Sequence, residues 1–321
     1  MVPLIKEKDM HSNTIPELRT ISRPFLVSSS RAWNSILDEV FYDVGSLSRP
    51  EQVMLLSQTS AEGSVLIVYP GGSDQKIRIV TPLGFVREQS EDANDAVDTV
   101  VVAGVGSSAM GTAALARDVA DFLHRPVAGI VSGLGMADVL TEALGGWFIF
   151  GATNALRDLL ARTFDAWDLK DHVRDAETHR DLVEHFLTVG IDEDRFIYGS
   201  PDSTALLYLL SKLGDRIKLL VGHSKGNYSI ENALEGWLSA SEKTSSSIPF
   251  DLRVVTLGAV IRFPEEFTNV HQFIGQDDFF GMMNSRPLLD CTLVPGARHT
   301  LNTLIPGHLP VNEALSSAGV G

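Results

Sequence analysis

Residues 98–106, DTVVVAGVG, form an unbroken apolar run rich in β-branched side chains. AMGTAALARDVADFLHR follows at once, with its apolar positions at helical spacing. Such a run suits a strand buried on both faces, which demands helices above and below a sheet. The pairing recurs along the chain. PVAGIVSG (126–133) reads as the next buried strand, STALLYLLSKLGD (203–215) as a helix, RIKLLVGHS (216–224) as a strand and NYSIENALEGWLSA (227–240) as a helix. DLRVVTLGAVIRF, VHQFIGQ and CTLVPGA are three further strands by the same criteria. Ahead of them, Val65–Tyr69 and Ile77–Val80 flank a Gly-Gly-Ser-Asp turn cluster, the pattern of an antiparallel hairpin. A hairpin followed by repeated β-α units predicts an α/β fold, with a mostly parallel sheet and helices on both faces.

Two regions break this rhythm. Residues 1–61 read as a mixed helical and extended segment packing on the core. SRAWNSILDEVFYDV places Trp33, Ile36, Val40 and Phe41 at helical spacing there, and RPEQVMLLSQTS forms a second helix. The main domain is expected over 62–321, interrupted at about 136–200 by a helix-rich insertion read as a cap over the sheet edge. RFIYGS is a poor strand candidate within it. Trp147, Phe148 and Phe150 are expected to pack in that cap or to line an apolar acyl pocket.

Charge narrows the partners. The 26 basic and 41 acidic residues give a net charge of −15, a field that repels nucleic-acid backbones and anionic lipid surfaces. No stretch reaches the ~18 uninterrupted apolar residues of a membrane span. The first twenty residues scatter charge and lack the apolar run of a secretory signal, so a cytoplasmic location is expected. Cys291 is the only cysteine, which excludes an intrachain disulfide and a CxxC site. It is expected to be a small buried residue of the strand CTLVPGA.

The chemistry concentrates around VGHSKGN, residues 221–227, where a Gly-x-Ser-x-Gly pattern joins a strand to a helix. A serine on so sharp a turn needs small neighbours two residues before and after it, and Gly222 and Gly226 supply them. The following helix N-terminus favours negative charge developing beside Ser224. A serine hydroxyl also needs a base to take its proton and an acid to orient that base. Both occur downstream, each after a predicted strand: VHQFIGQDDFFG offers Asp278, three residues past Gly275, and CTLVPGARHTL offers His299. Strand ends of this kind are where α/β sheets place their ligand crevices.

On these residues the chain resembles the α/β-hydrolase superfamily over 62–321. GQDD looks like its Gly-x-x-Asp acid turn, and PGARH like the stretch preceding its catalytic histidine. VVVAGVGSS is similar to the strand leading into its oxyanion loop, with Ala103 where a histidine often stands. The resemblance implies a Ser224–His299–Asp278 triad and oxyanion donors at the backbone N–H groups of Val105 and Lys225. It implies cleavage of a carboxylic ester or related acyl bond in a small-molecule substrate with an apolar acyl part, without a metal or organic cofactor. Amidases, thioesterases, acyltransferases and carbon–carbon hydrolases share this machinery, and a silent binding protein on the same fold is the rival from another class. Lys225 and Asn227 stand where many lipase-like members carry an apolar residue and glycine or alanine.

Alternatives exist at each position. Asp277 competes with Asp278, and Glu265 and Glu266 follow the preceding strand. His308 in IPGHLPV competes with His299, whereas His223, in an elbow, points away from the nucleophile and is structural. GVGSSAMG, with Gly104, Gly106 and Gly111, departs from the Gly-x-Gly-x-x-Gly dinucleotide spacing, and no acidic residue ends the next strand. His179, Glu184 and His185 lack the His-Glu-x-x-His spacing of a metal helix and read as a solvated face.

Overall fold

The computed structural model describes residues 38–58, 60–91, 96–104, 107–132, 200–244, 251–286 and 288–321, all within the compact unit Asn34–Gly321. The cap expected at 136–200, with its aromatic cluster and His179, Glu184 and His185, lies outside them apart from Ser200; so do Trp33, Ile36, Val105 and Gly106.

Eight strands form one sheet. In chain order they are β1 (Val65–Val68), β2 (Arg78–Val80), β3 (Thr99–Val102), β4 (Val127–Ile130), β5 (Leu219–His223), β6 (Arg253–Leu257), β7 (Val270–Gly275) and β8 (Thr292–Val294). Their spatial order is β2-β1-β4-β3-β5-β6-β7-β8. The predicted hairpin is present: β1 pairs antiparallel with β2, Leu66 opposite Ile79, and also antiparallel with β4. From β4 through β8 every pairing is parallel. The result is a mixed, mostly parallel α/β sheet.

Helices lie against both faces because the apolar strands have two faces to bury. Leu66, Val68, Val101, Leu219, Val221, Val255 and Leu257 turn to one core, together with α1 (Arg49–Ser57), α3 (Ala109–Leu123) and α7 (Val311–Ser317). The alternating residues Val65, Ile67, Val100, Val102, Leu220 and Val254 turn to the other, against α2 (Pro82–Glu91), α4 (Pro201–Leu213) and α5 (Lys225–Thr244). A strand side chain alternates faces with period two, so continuous apolar runs feed both cores. Caps set the helix ends. The Ser108 hydroxyl accepts from the Met110 N–H at 3.0 Å, and α3 stops at His124, whose φ of 55° is left-handed. The α1 start is closed by Glu51, whose carboxylate accepts from the Ser48 N–H at 2.8 Å.

Cys291 corrects its expectation. It is exposed, as are Thr292 and Leu293, because it immediately precedes β8, the edge strand, which is paired with β7 on one side only. Among the described residues no helix is long and apolar enough to cross a membrane.

One topological feature positions everything that follows. From β3 the chain steps to β4 on one side, then returns past β3 to build β5 through β8 on the other. The sheet order reverses between β3 and β5, and open α/β sheets bind ligands outside the carboxyl ends of the strands at such a point. Ala103–Gly104 and Ser224 are the residues that leave those two strand ends.

Candidate active site

Ser224 follows the last residue of β5 and precedes the first of α5. Its φ is 53°, a left-handed conformation rare in a non-glycine residue and costly unless the surroundings enforce it. They do. The Ser224 N–H donates to the Leu257 carbonyl at 2.9 Å, and the Ser224 carbonyl accepts from the Asn227 N–H at 3.1 Å. Asn227 Nδ2 adds bonds to the carbonyls of Leu257, 3.1 Å, and Ala259, 3.0 Å. Both flanking glycines are required sterically. A Cβ at Gly226 would collide with the backbone carbonyls of Val102 and Ala103, and one at Gly222 with Asn227 and with Ile230 Cδ1 at 2.8 Å.

His299 arrives on the loop after β8 and Asp278 caps α6 (Phe279–Met283), just after β7. His299 Nε2 lies 2.9 Å from Ser224 Oγ, and His299 Nδ1 lies 2.8 and 3.0 Å from the two Asp278 oxygens. All three residues are buried, Asp278 to 1% exposure. The Gly281 N–H donates to Asp278 Oδ1 at 2.6 Å, which fixes the carboxylate. A carboxylate only accepts, so the neutral imidazole carries its proton on Nδ1 and turns the Nε2 lone pair to the serine hydroxyl. That is the orientation in which a histidine can take a serine proton. Gly258, with φ +72°, permits this packing: a Cβ there would lie 3.1 Å from His299 Cε1 and 3.2 Å from His223 Nε2.

No family model, curated protein or solved structure matches this chain. The geometry stands on its own.

The structure distinguishes the sequence alternatives. Asp277, Glu265 and Glu266 are exposed, while Asp278 faces His299. His308 bonds the Ile305 carbonyl at 3.3 Å. The His223 side chain reaches the His299 carbonyl through Nε2, 3.0 Å, and Tyr42 Oη through Nδ1, 2.9 Å. Burial, with a smaller contribution from neighbouring His299, holds its pKa well below the usual imidazole value. Lys225 opens α5, so its N–H is one of the four N-terminal amides without an intrahelical acceptor. Its ammonium lies 3.7 Å from Asp202, a fully buried carboxylate that also accepts from Ser132 Oγ, 2.7 Å, and Ser229 Oγ, 2.9 Å. Burial alone would raise the Asp202 pKa; Lys225 and the serine hydroxyls outweigh it and hold the pKa below the usual carboxylate value.

GVGSSAMG has an internal occupant. The Asp38 carboxylate accepts from Ser108 N–H at 3.1 Å and Ser108 Oγ at 2.5 Å, and a Cβ at Gly111 would strike it. The start of α3, where a dinucleotide phosphate would have to bind, is filled by the chain's own carboxylate.

Sequence reasoning missed this contributor. Residues 38–44 run across the site as a strap, and nothing in VFYDV signals that Tyr42 meets a histidine 181 positions away. The His299 ring lies edge-on to Phe41, 5.6 Å between centroids, and 6.3 Å from Phe280. Phe279, Phe280, Met282 and Met283 are exposed on α6 and form an apolar surface beside the histidine.

Proposed function

We propose that this chain is a serine hydrolase of the α/β-hydrolase type, cleaving a carboxylic ester or related acyl bond. The observation that carries the proposal is the continuous chain Ser224–His299–Asp278, with contacts of 2.9 and 2.8 Å, on a serine held at φ 53°. Ser224 Oγ attacks the acyl carbon while its proton passes to His299 Nε2. Asp278 holds the tautomer and stabilises the imidazolium that forms. The oxyanion is received by the Lys225 N–H and by the Val105 N–H expected from the resemblance; one such donor is typically worth about 10²–10³ in rate. As the tetrahedral intermediate collapses, the Nε2 proton goes to the leaving alcohol, and water then releases the acyl group. The exposed apolar side chains of α6 favour a substrate with an apolar part, approaching past Phe280.

Labelling with a fluorophosphonate probe tests the reading directly. Wild type is expected to label and to hydrolyse p-nitrophenyl esters, and Ser224→Ala to lose both. A folded wild type that neither labels nor turns over would sink the hydrolase reading and favour a binding protein on the same fold.

A further inference from the structure

The strap holds two parts of the site at once. On one side it follows the loop that carries His299, residue by residue. Asn302 Nδ2 donates to the Glu39 carbonyl at 2.6 Å, Thr300 Oγ1 to the Val40 carbonyl at 2.6 Å, and the Leu301 N–H to the Phe41 carbonyl at 2.8 Å. On the other side Asp38 is bonded to the start of α3, and Tyr42 Oη lies 2.6 Å from the Gly104 amide nitrogen at the end of β3.

The direction of each bond through Tyr42 is fixed by chemistry. The His299 carbonyl can only accept, which assigns the His223 proton to Nε2. His223 Nδ1 is then an acceptor, so the Tyr42 hydroxyl donates to it. The Gly104 N–H can only donate, and it donates to the same phenol oxygen. One ordered path results, running Gly104 N–H to Tyr42 O–H to His223 Nδ1, and from His223 Nε2–H to the His299 carbonyl. Each of its links is buried, and reversing any one would leave a buried donor facing a donor or an acceptor facing an acceptor.

We propose that Tyr42 and His223 are positioning residues for this site. Their hydrogen-bond path fixes Gly104, next in the chain to the expected oxyanion donor, relative to the loop that bears the base. The proposal rests on the hydrolase reading for its kinetic consequence, though not for the path itself. Neither side chain touches the reacting atoms. Both act through Gly104 and His299, so losing the Tyr42 hydroxyl changes the alignment of the transition state more than the binding of substrate. Misplacements on the order of 1 Å cost about 10²-fold in rate.

Two measurements on the full chain test this. Histidine side-chain ¹⁵N NMR should find wild-type His223 neutral, protonated on Nε2, and unchanged from pH 8 to 5.5. In Tyr42→Phe the signals of His223 should shift, and with them those of His299. An Nδ1–H tautomer, titration of His223 in the ordinary imidazole range, or unmoved His299 signals in the variant would each overturn the proposal. In the second, fluorophosphonate labelling and ester kinetics of Tyr42→Phe should show kcat lowered about 10- to 100-fold with KM within about twofold. A folded variant with wild-type kcat, or with the whole loss in KM, refutes the positioning role. If wild type itself does not label, the hydrolase reading fails and the NMR arm decides the path alone. If Tyr42→Phe does not fold, the wild-type tautomer and titration of His223 still decide it.

Discussion

At the scale of single residues, the site depends on what two glycines lack. The carbonyls of Val102 and Ala103 occupy the place a Gly226 side chain would take, and both belong to the backbone, which cannot rotate aside. Gly226→Ala is therefore expected to destabilise the protein by more than about 3 kcal/mol or to prevent folding. Gly72 is the control: its φ is +79° with nothing within 4 Å of an added Cβ, so Gly72→Ala should cost only the left-handed strain, about 1–2 kcal/mol. Urea unfolding of the two variants reads the difference, and equal costs would refute the steric account. These glycines were legible in the sequence because the motif is local. Gly222 to Gly226 span five residues, and Asp278 and His299 each follow a recognisable strand and turn. The partners of His223 were not legible, because Tyr42 has no periodicity or spacing that ties it to residue 223. Cys291 was misjudged for a related reason: a strand-like pattern does not reveal whether the strand lies at the centre of a sheet or at its edge.

At the scale of elements, the junction of the strap with α3 couples folding to pH. Asp38 is fully buried, and burial pushes its pKa from 3.8 up to about 7 despite the lowering effect of its bonds to Ser108. Between those values the folded chain holds a proton that the unfolded chain has released. Stability from this group is complete below about pH 4 and falls as pH rises through about 7. At ~1.4 kcal/mol per pH unit the effect is on the order of 4 kcal/mol. His223 has the opposite sign. Its depressed pKa makes the unfolded chain bind more protons below the ordinary imidazole value of 6.5, so its contribution is present above that pH and is lost on acidification. Asp38→Asn removes one slope and leaves the other. Denaturant midpoints of the variant should fall less steeply than those of wild type between pH 4.5 and 7.5, because Asp118, whose pKa burial also pushes up, to about 8, keeps its own share of the slope; a slope identical to wild type would rule out the Asp38 contribution. The helices and strands themselves were readable from periodicity. What joins them was not: spacing argued against GVGSSAMG as a dinucleotide loop, but nothing in the sequence placed Asp38 against it.

At the scale of the whole molecule, sheet topology and net charge act together on whatever approaches. The sheet order reverses between β3 and β5, and Ser224 leaves the carboxyl end of β5 at that point, where open α/β sheets place their ligands. A chain of net charge −15 repels anions before they arrive there. For an anionic ester, kcat/KM is expected to rise as salt screens that field, while a neutral ester of similar size should respond little. Stopped-flow measurements from 10 to 300 mM salt would read the difference. A fall for the anionic ester would instead assign the approach to local positive charge.

The strap also sets a schedule. Glu39 and Val40 find their partners at Asn302 and Thr300, 263 and 260 positions later in the chain. A ribosome adding about 5–20 residues per second needs roughly 10–50 s to bridge such a gap. Over 75 residues of that interval, from Ser224 to His299, the nascent chain carries the elbow sequence without the histidine that meets it. On the proposed reading, Ser224 is therefore completed late, when residues 299–302 emerge and close against residues 39–41.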